Sequence, residues 1–356
     1  MAFNLINMAL LDYVLEPPSY GWTDNQGNLM KPSTKQLFIE YFSRINIFKT
    51  RKNWLAFTSW FWVLSLAPVL LIFVFKYFTL PLLALGFVYS MILMGSHGTV
   101  WYHRFGTHNA FKFKNKFWRM ITKNLVIKVI PDEIYIVSHH VHHFKPDVPG
   151  DPYNTKVSWL YCFLADANHQ MIARNLNEKD YKTATGFLRH TGVPVNSYEQ
   201  YQKWGSISKP LPVWLNWAAN WTFWALTFYL IGGFPLVTTL FGAAHVWAIG
   251  IRTFNYEGHG KGKDLRKKGV DFHWDDFSIN QFWPGYVAGE WHNNHHLYPH
   301  SAQAGFKPHQ VDLPWYYIKF LHWLGGIKSF HNNKDDFYKD YYLPYLKEKA
   351  HTKVAS

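Results

Sequence analysis

A single cysteine, Cys162, stands in the whole chain. That scarcity excludes an intrachain disulfide, a four-cysteine iron–sulfur cluster and a cysteine-rich zinc site, so any metal must be held by nitrogen and oxygen. Charge is sparse too, at 17% of residues, and acids are the scarcer sign, 23 against 36 bases. The formal charge of +13 and the run Lys261, Lys263, Arg266, Lys267, Lys268 would suit nucleic acid. The bases, however, crowd segments flanking apolar stretches and no nucleic-acid-binding module is present, so no nucleic acid partner is expected. The opening MAFNLINMALLDYVLE lacks a basic n-region and a small-residue cleavage site. It reads as an interfacial amphipathic helix or a packed or disordered terminus, not as a secretory signal.

Aromatic and apolar residues are abundant instead: 48% hydrophobic, with 18 Trp, 22 Tyr and 29 Phe. From Trp54 to about Phe75 no charge occurs, a run long enough to cross a hydrocarbon core of about 30 Å. A short connection around Lys76 leads to a second uncharged run from Leu80 to about Val100. After a long polar stretch come two more runs, about Val213 to Leu230 and Pro235 to Ile251, joined by Gly232-Gly233-Phe234. The pattern predicts an all-α integral membrane protein: four transmembrane helices in two hairpins with a helical cytosolic cap. The expected divisions are an N-terminal cytosolic or interfacial segment 1–53, hairpin 54–101, cytosolic helical region 102–212, hairpin 213–251, cytosolic region 252–330 and tail 331–356. Lys31, Lys35, Arg44, Lys49, Arg51 and Lys52 precede the first crossing, so positive-inside puts the termini and the polar regions in the cytosol. Shorter apolar stretches near 125–137 and 314–324 read as interfacial or packed against the bundle.

The polar regions carry three histidine clusters: His103 with His108; His139 with His142 and His143; His292 with His295 and His296. Neutral imidazole suits iron, zinc, copper and nickel. Residues three and four apart share a helix face, so the second and third clusters can each present rings to one point. His103 and His108, five apart, lie about 140° out of phase on a regular helix; Gly106 suggests that the helix ends and the chain turns between them. Asn255 and His259 form a further, weaker element. His97 and His245 fall within membrane helices and read as packing residues, and His140 points off the shared face of its cluster. Together, clustered imidazoles at the exits of membrane helices point to a metal pair doing oxidative chemistry on a lipid.

The motifs HRFGTH (103–108), HHVHHFKPDVPGDPYN (139–154), NYEGH (255–259) and GEWHNNHHLYPHSAQAG (289–305) resemble those of the integral-membrane fatty acid desaturases, in particular the bacterial type of the stearoyl-CoA (delta-9) branch. The resemblance runs from about Trp54 to Ile327. It implies one iron on His142, His259, His292 and His296, with Asn255 reaching it through a water, and a second on His103, His108, His139, His143 and His295. Zinc can replace iron in a heterologously produced sample. The implied reaction uses O2 and two external electrons to put a cis double bond into a long saturated acyl chain, because an unactivated methylene offers acid–base catalysis no acidic proton and a redox metal must supply the oxidising power.

Carboxylate-bridged di-iron bundles use Glu-x-x-His sets that this chain lacks; Asp147, Asp151, Glu257 and Glu290 are instead the nearest carboxylates to orient the rings. Acyl-CoA members of the family usually carry Arg-Asp where this chain has Val137-Ser138, so acyl-CoA, acyl-carrier protein and acyl-lipid all remain open as substrates. With no fused haem domain expected, electrons come from a separate cytochrome b5-type or ferredoxin-type donor with its reductase. A bacterial inner membrane is expected in preference to the endoplasmic reticulum. A membrane hydroxylase, a histidine-rich metal transporter and a catalytically silent lipid-binding relative are the rival readings.

Overall fold

The structure, a computed structural model, describes residues 9–169, 171–259, 261 and 291–354. Helix α1, Thr34–Ile45, starts at Ser33, whose hydroxyl accepts from the Gln36 amide while the Gln36 side chain accepts from the Ser33 amide, satisfying two end donors at once. It buries Leu37, Glu40, Tyr41 and Arg44 and leaves Phe38, Ile39 and Phe42 exposed. The described part of the N-terminus is packed: Leu10, Leu11, Val14 and Leu15 are buried in a cluster with Ile136 and Val137.

Three helices are long and apolar enough to cross a membrane: α2, Arg51–Tyr77; α3, Leu80–Thr107; and Pro210–Gly258. Between the first two, Thr79 caps α3 by accepting from the Leu82 amide, and Pro81 occupies the first turn, where its missing N–H costs nothing. The third stretch is a single apolar tract in which two crossings were expected. It is nonetheless folded back: Gly232 and Gly233 leave helical geometry, and the Trp221 and Phe241 rings lie 5.6 Å apart, whereas twenty residues of straight helix would separate them by about 30 Å. Gly233 has φ +66° and ψ −163°, a conformation essentially restricted to glycine. Small residues seat the returning arm on α3. A Cβ on Gly86 would come within 3.2 Å of Thr239 Cγ2, and Ser90 donates to the Ala243 carbonyl at 3.0 Å, the kind of close approach that packs helices in lipid. Outward, Leu64, Leu71, Phe75, Leu83, Phe87 and Leu226 are exposed.

The Pro210–Gly250 part of the third tract is α6, and the shorter helices include α4 (Lys116–Asn124), α5 (Asp132–Phe144), Glu178–Arg189, α7 (His292–Leu297) and α8 (Leu313–Trp323). The all-helical expectation needs one correction: Phe111–Phe113 and Ile327–Phe330 pair as a two-stranded antiparallel sheet, β1 and β2. The sheet ties the segment after His108 to the C-terminal region. Beside it, buried Arg104 donates to the Ala302 carbonyl at 2.6 Å and pairs with Asp312 at 2.9 Å. Asp312 also accepts from the Ala304 amide and caps α8 at Trp315, so one ion pair fixes the end of α3 against the chain beyond α7.

Candidate metal centre

The end of α3 differs from the expected turn. From Leu93 to Thr107 the helix widens into π turns, in which each amide reaches back five residues, and the His108 amide donates to the His103 carbonyl at 3.1 Å. Residues five apart are then one turn apart, and the two rings meet with centroids 4.9 Å apart. Gly106 marks close packing, not a turn: a Cβ there would sit 2.8 Å from Ile136 Cδ1 and 3.0 Å from the Trp101 carbonyl.

Nine histidines converge in two groups whose ligand-capable atoms lie within 4.8 Å of one another in each group: His103, His108, His139, His143 and His295; and His142, His259, His292 and His296. Rings from α3, α5 and α7 make the first group. In it His295 Nε2 lies 2.8 Å from His103 Nε2 and 2.9 Å from His143 Nε2, which is 3.2 Å from His139 Nε2. A neutral imidazole has one donor and one acceptor nitrogen, so one nitrogen cannot serve both neighbours, and buried His108 Nε2 has no hydrogen-bond partner among the described residues. Burial, then the neighbouring rings, lowers the pKa of His108, His139, His143 and His295 well below the usual value, which keeps their lone pairs free.

The second group is set by two carboxylates. Asp151, fully buried, accepts from His142 Nδ1 at 3.0 Å and from the amides of Asp147 and Tyr153. Asp147 accepts from His259 Nδ1 at 2.9 Å and from the Thr155 hydroxyl at 2.8 Å. These bonds assign the protons to Nδ1, so the Nε2 atoms of His142 and His259 face each other at 3.1 Å as two lone pairs. His292 and His296 Nε2 approach to 3.1 Å beside them. Lone pairs opposed at this distance repel, and a cation between them removes the repulsion; the donor set fits a nitrogen-bound metal. Of the other carboxylates considered, Glu257 turns to Lys261 at 3.1 Å and Glu290 lies outside the described residues, as do Lys263, Arg266, Lys267 and Lys268 of the basic run.

His97, His140 and His245 fall in neither group. His97 Nε2 bonds the Tyr102 hydroxyl, His245 Nδ1 donates to the Val63 carbonyl, and His140 packs on Phe187. Asn255 lines a narrow cavity with His103, His139, His292, Met94, Gly98 and Thr99. A neighbouring cavity shares Tyr135, Ile251 and Asn255 with it and reaches Asp166 and Arg252. These last two residues form a short ion pair, with Ser59 and Trp60 also donating to Asp166. Sequence reasoning missed this network because its members come together from three distant segments. Tyr135 carried a signal: it precedes His139 by one helical turn and stacks on it, centroids 5.2 Å apart.

No family model matches the chain. Over 238 residues, 64% of the chain and 56% of the relative, it is 26% identical to the palmitoyl-monogalactosyldiacylglycerol delta-7 desaturase of Arabidopsis thaliana. It is 27% identical over 240 residues, 64% of the chain and 66% of the relative, to the acyl-CoA C20 Delta5-desaturase of Anemone leveillei. The sn-2 palmitoyl-lipid 9-desaturase of Nostoc sp. (strain 36) is 26% identical over 271 residues, 69% of the chain and 81% of that protein. The chain thus spans less than two thirds of the length of the first two relatives.

Proposed function

We propose, for a chain that belongs to the fatty acid desaturase family, that it binds two irons and uses O2 with two electrons from a separate donor protein to introduce a cis double bond near the middle of a long saturated acyl chain. The observation that carries this reading is the pair of buried imidazole groups whose lone pairs face one another. His103, His108, His139, His143 and His295 would hold one iron; His142, His259, His292 and His296 would hold the other, with Asn255 reaching it through a water. Bound iron supplies, with O2, the oxidising power that breaking an unactivated C–H bond requires.

The remaining roles belong to the protein. Asp151 and Asp147 keep His142 and His259 in the tautomer that presents Nε2, and Tyr135 holds the His139 ring by stacking. The adjoining cavities, whose walls include Met94, Tyr135, Ile251 and Phe254, are where we place the acyl chain, alongside His103, His139 and His292. The substrate is read as an acyl-lipid or acyl-CoA, the forms named for the relatives, and the donor as a cytochrome b5-type or ferredoxin-type carrier. We read the folded-back Pro210–Gly258 tract as two crossings, giving four in all, with the histidines and both termini on the cytosolic side by the distribution of Lys and Arg, in a bacterial inner membrane.

Expression of the chain with an electron donor, followed by lipid profiling, tests this. New cis-monounsaturated chains that vanish in His295→Ala support it. Hydroxylated chains, or altered metal uptake without new unsaturation, contradict it.

A further inference from the structure

A cavity of about 310 Å³ lies between α4, the first residue of α5, the turn Thr191–Pro194 and the first turns of α6. Among the described residues four cations line it, Lys116, Arg119, Lys123 and Lys128, against a single carboxylate, Asp132. Lys128 is only 1% exposed. Its ammonium donates to Asn216 Oδ1 at 2.8 Å and lies 3.8 Å from Asp132. Asp132 is shared: Lys123 approaches it at 3.3 Å and Trp101 Nε1 donates to it at 2.7 Å. Arg119 donates to a neutral acceptor, the His190 carbonyl, at 3.0 Å. Among the described residues one negative charge therefore faces four positive ones around this half-open space, and a buried ammonium that shares a carboxylate with another lysine is stabilised by a second anion.

The rim identifies the kind of anion. Met120, which lines the cavity, is 58% exposed, and Phe117, Leu211 and Leu215, next in sequence to the lining residues Lys116, Pro212 and Asn216, are 56%, 68% and 59% exposed. A free anion needs no apolar border, whereas a lipid brings a phosphate and acyl chains together. We propose that this cavity binds the phosphate-bearing headgroup of an anionic membrane lipid, with the chains of that lipid lying over Phe117, Met120, Leu211 and Leu215. None of its lining residues belongs to the histidine groups, so the site is separate from the one that would take the oxidised chain. Asp132, which the cations hold, opens α5 two turns before His139, and a lipid bound here would brace the helix that carries three of the histidines. The inference rests on reading α3 and α6 as membrane helices; a protein that stays soluble without detergent would defeat that reading, independently of the result below.

The test is thermal unfolding of the purified full-length protein in detergent, titrated with short-chain phosphatidylglycerol, with phosphatidylcholine of the same chains, and with inorganic phosphate. Phosphatidylglycerol should raise the midpoint saturably at concentrations at least about tenfold below those of phosphatidylcholine, inorganic phosphate should not, and K116Q/K123Q should weaken the effect by about tenfold or more. K179Q/K182Q, on the exposed face of Glu178–Arg189, should leave it unchanged. An equal response to the two lipids, a matching response to inorganic phosphate, or an unchanged response in K116Q/K123Q overturns the proposal. Native mass spectrometry of the wild-type protein in an equimolar lipid mixture gives a readout independent of any variant: selective retention of phosphatidylglycerol supports the site, and retention in proportion to the mixture overturns it.

Discussion

Asp151 decides which nitrogen of His142 is available, because its carboxylate can only accept and thereby keeps the proton on Nδ1. An asparagine can offer its NH2 group to that nitrogen and favour the other tautomer. Asp151→Asn is therefore expected to lower metal affinity by about 10–100-fold, read by competition with a chelator, while His97→Gln, outside both groups, leaves it unchanged. The same neutrality sets a pH limit. Burial lowers the pKa of His108, His139, His143, His292 and His295 below their ordinary 6.5, so the unfolded chain binds more protons than the folded one as pH falls through 6.5. Stability and metal retention should both be complete above that value and decline together below it, in denaturant titrations and metal analyses run in parallel. At this scale the sequence was legible where spacing was local: three and four residues along α5 and α7 bring rings to one face. The meeting of His142 with His259, 117 residues away, has no local signature.

At the scale of elements, the end of α3 shows where regular-helix arithmetic misleads. At 3.6 residues per turn His103 and His108 diverge, and the widened π turns reunite them. Nothing in the composition of LMGSHGTVWYHRFGT distinguishes an i→i+5 ladder from an ordinary helix, and the glycine that suggested a turn serves close packing on Ile136. Gly106→Ala should cost about 1–3 kcal/mol, and Ile136→Val should restore part of the loss, measured as thermal midpoints of the single and double variants. Gly232-Gly233 did carry its signal, since paired glycines between apolar runs mark a reversal. Gly233→Ala should destabilise by about 1–3 kcal/mol through backbone strain, whereas Gly186→Ala, inside the helix Glu178–Arg189 with open space around its Cα, should not destabilise. The strands β1 and β2 escaped notice because three and four residues paired across more than 200 positions give no periodicity to read.

For the whole molecule, long uncharged tracts made the apolar helices readable, while the ion pairs that join their ends to segments outside them, Arg104 with Asp312 and Arg252 with Asp166, were invisible until the chain was folded. The proposed arrangement turns Lys76 and Gly233 to the face opposite the histidines. With buried Cys162 replaced by serine, a cysteine at Phe75 should react with an impermeant maleimide from outside intact cells, and one at Lys179 only after the membrane is opened. The central claim is that the nine-histidine site oxidises an acyl chain to an alkene, and the product itself tests it most directly. Purified protein loaded with iron, supplied with O2, a reducing carrier and a saturated acyl substrate, should yield by mass spectrometry a chain two mass units lighter with a cis double bond, and none when zinc replaces iron. A product heavier by one oxygen, or an unchanged chain at full iron occupancy, would contradict the account.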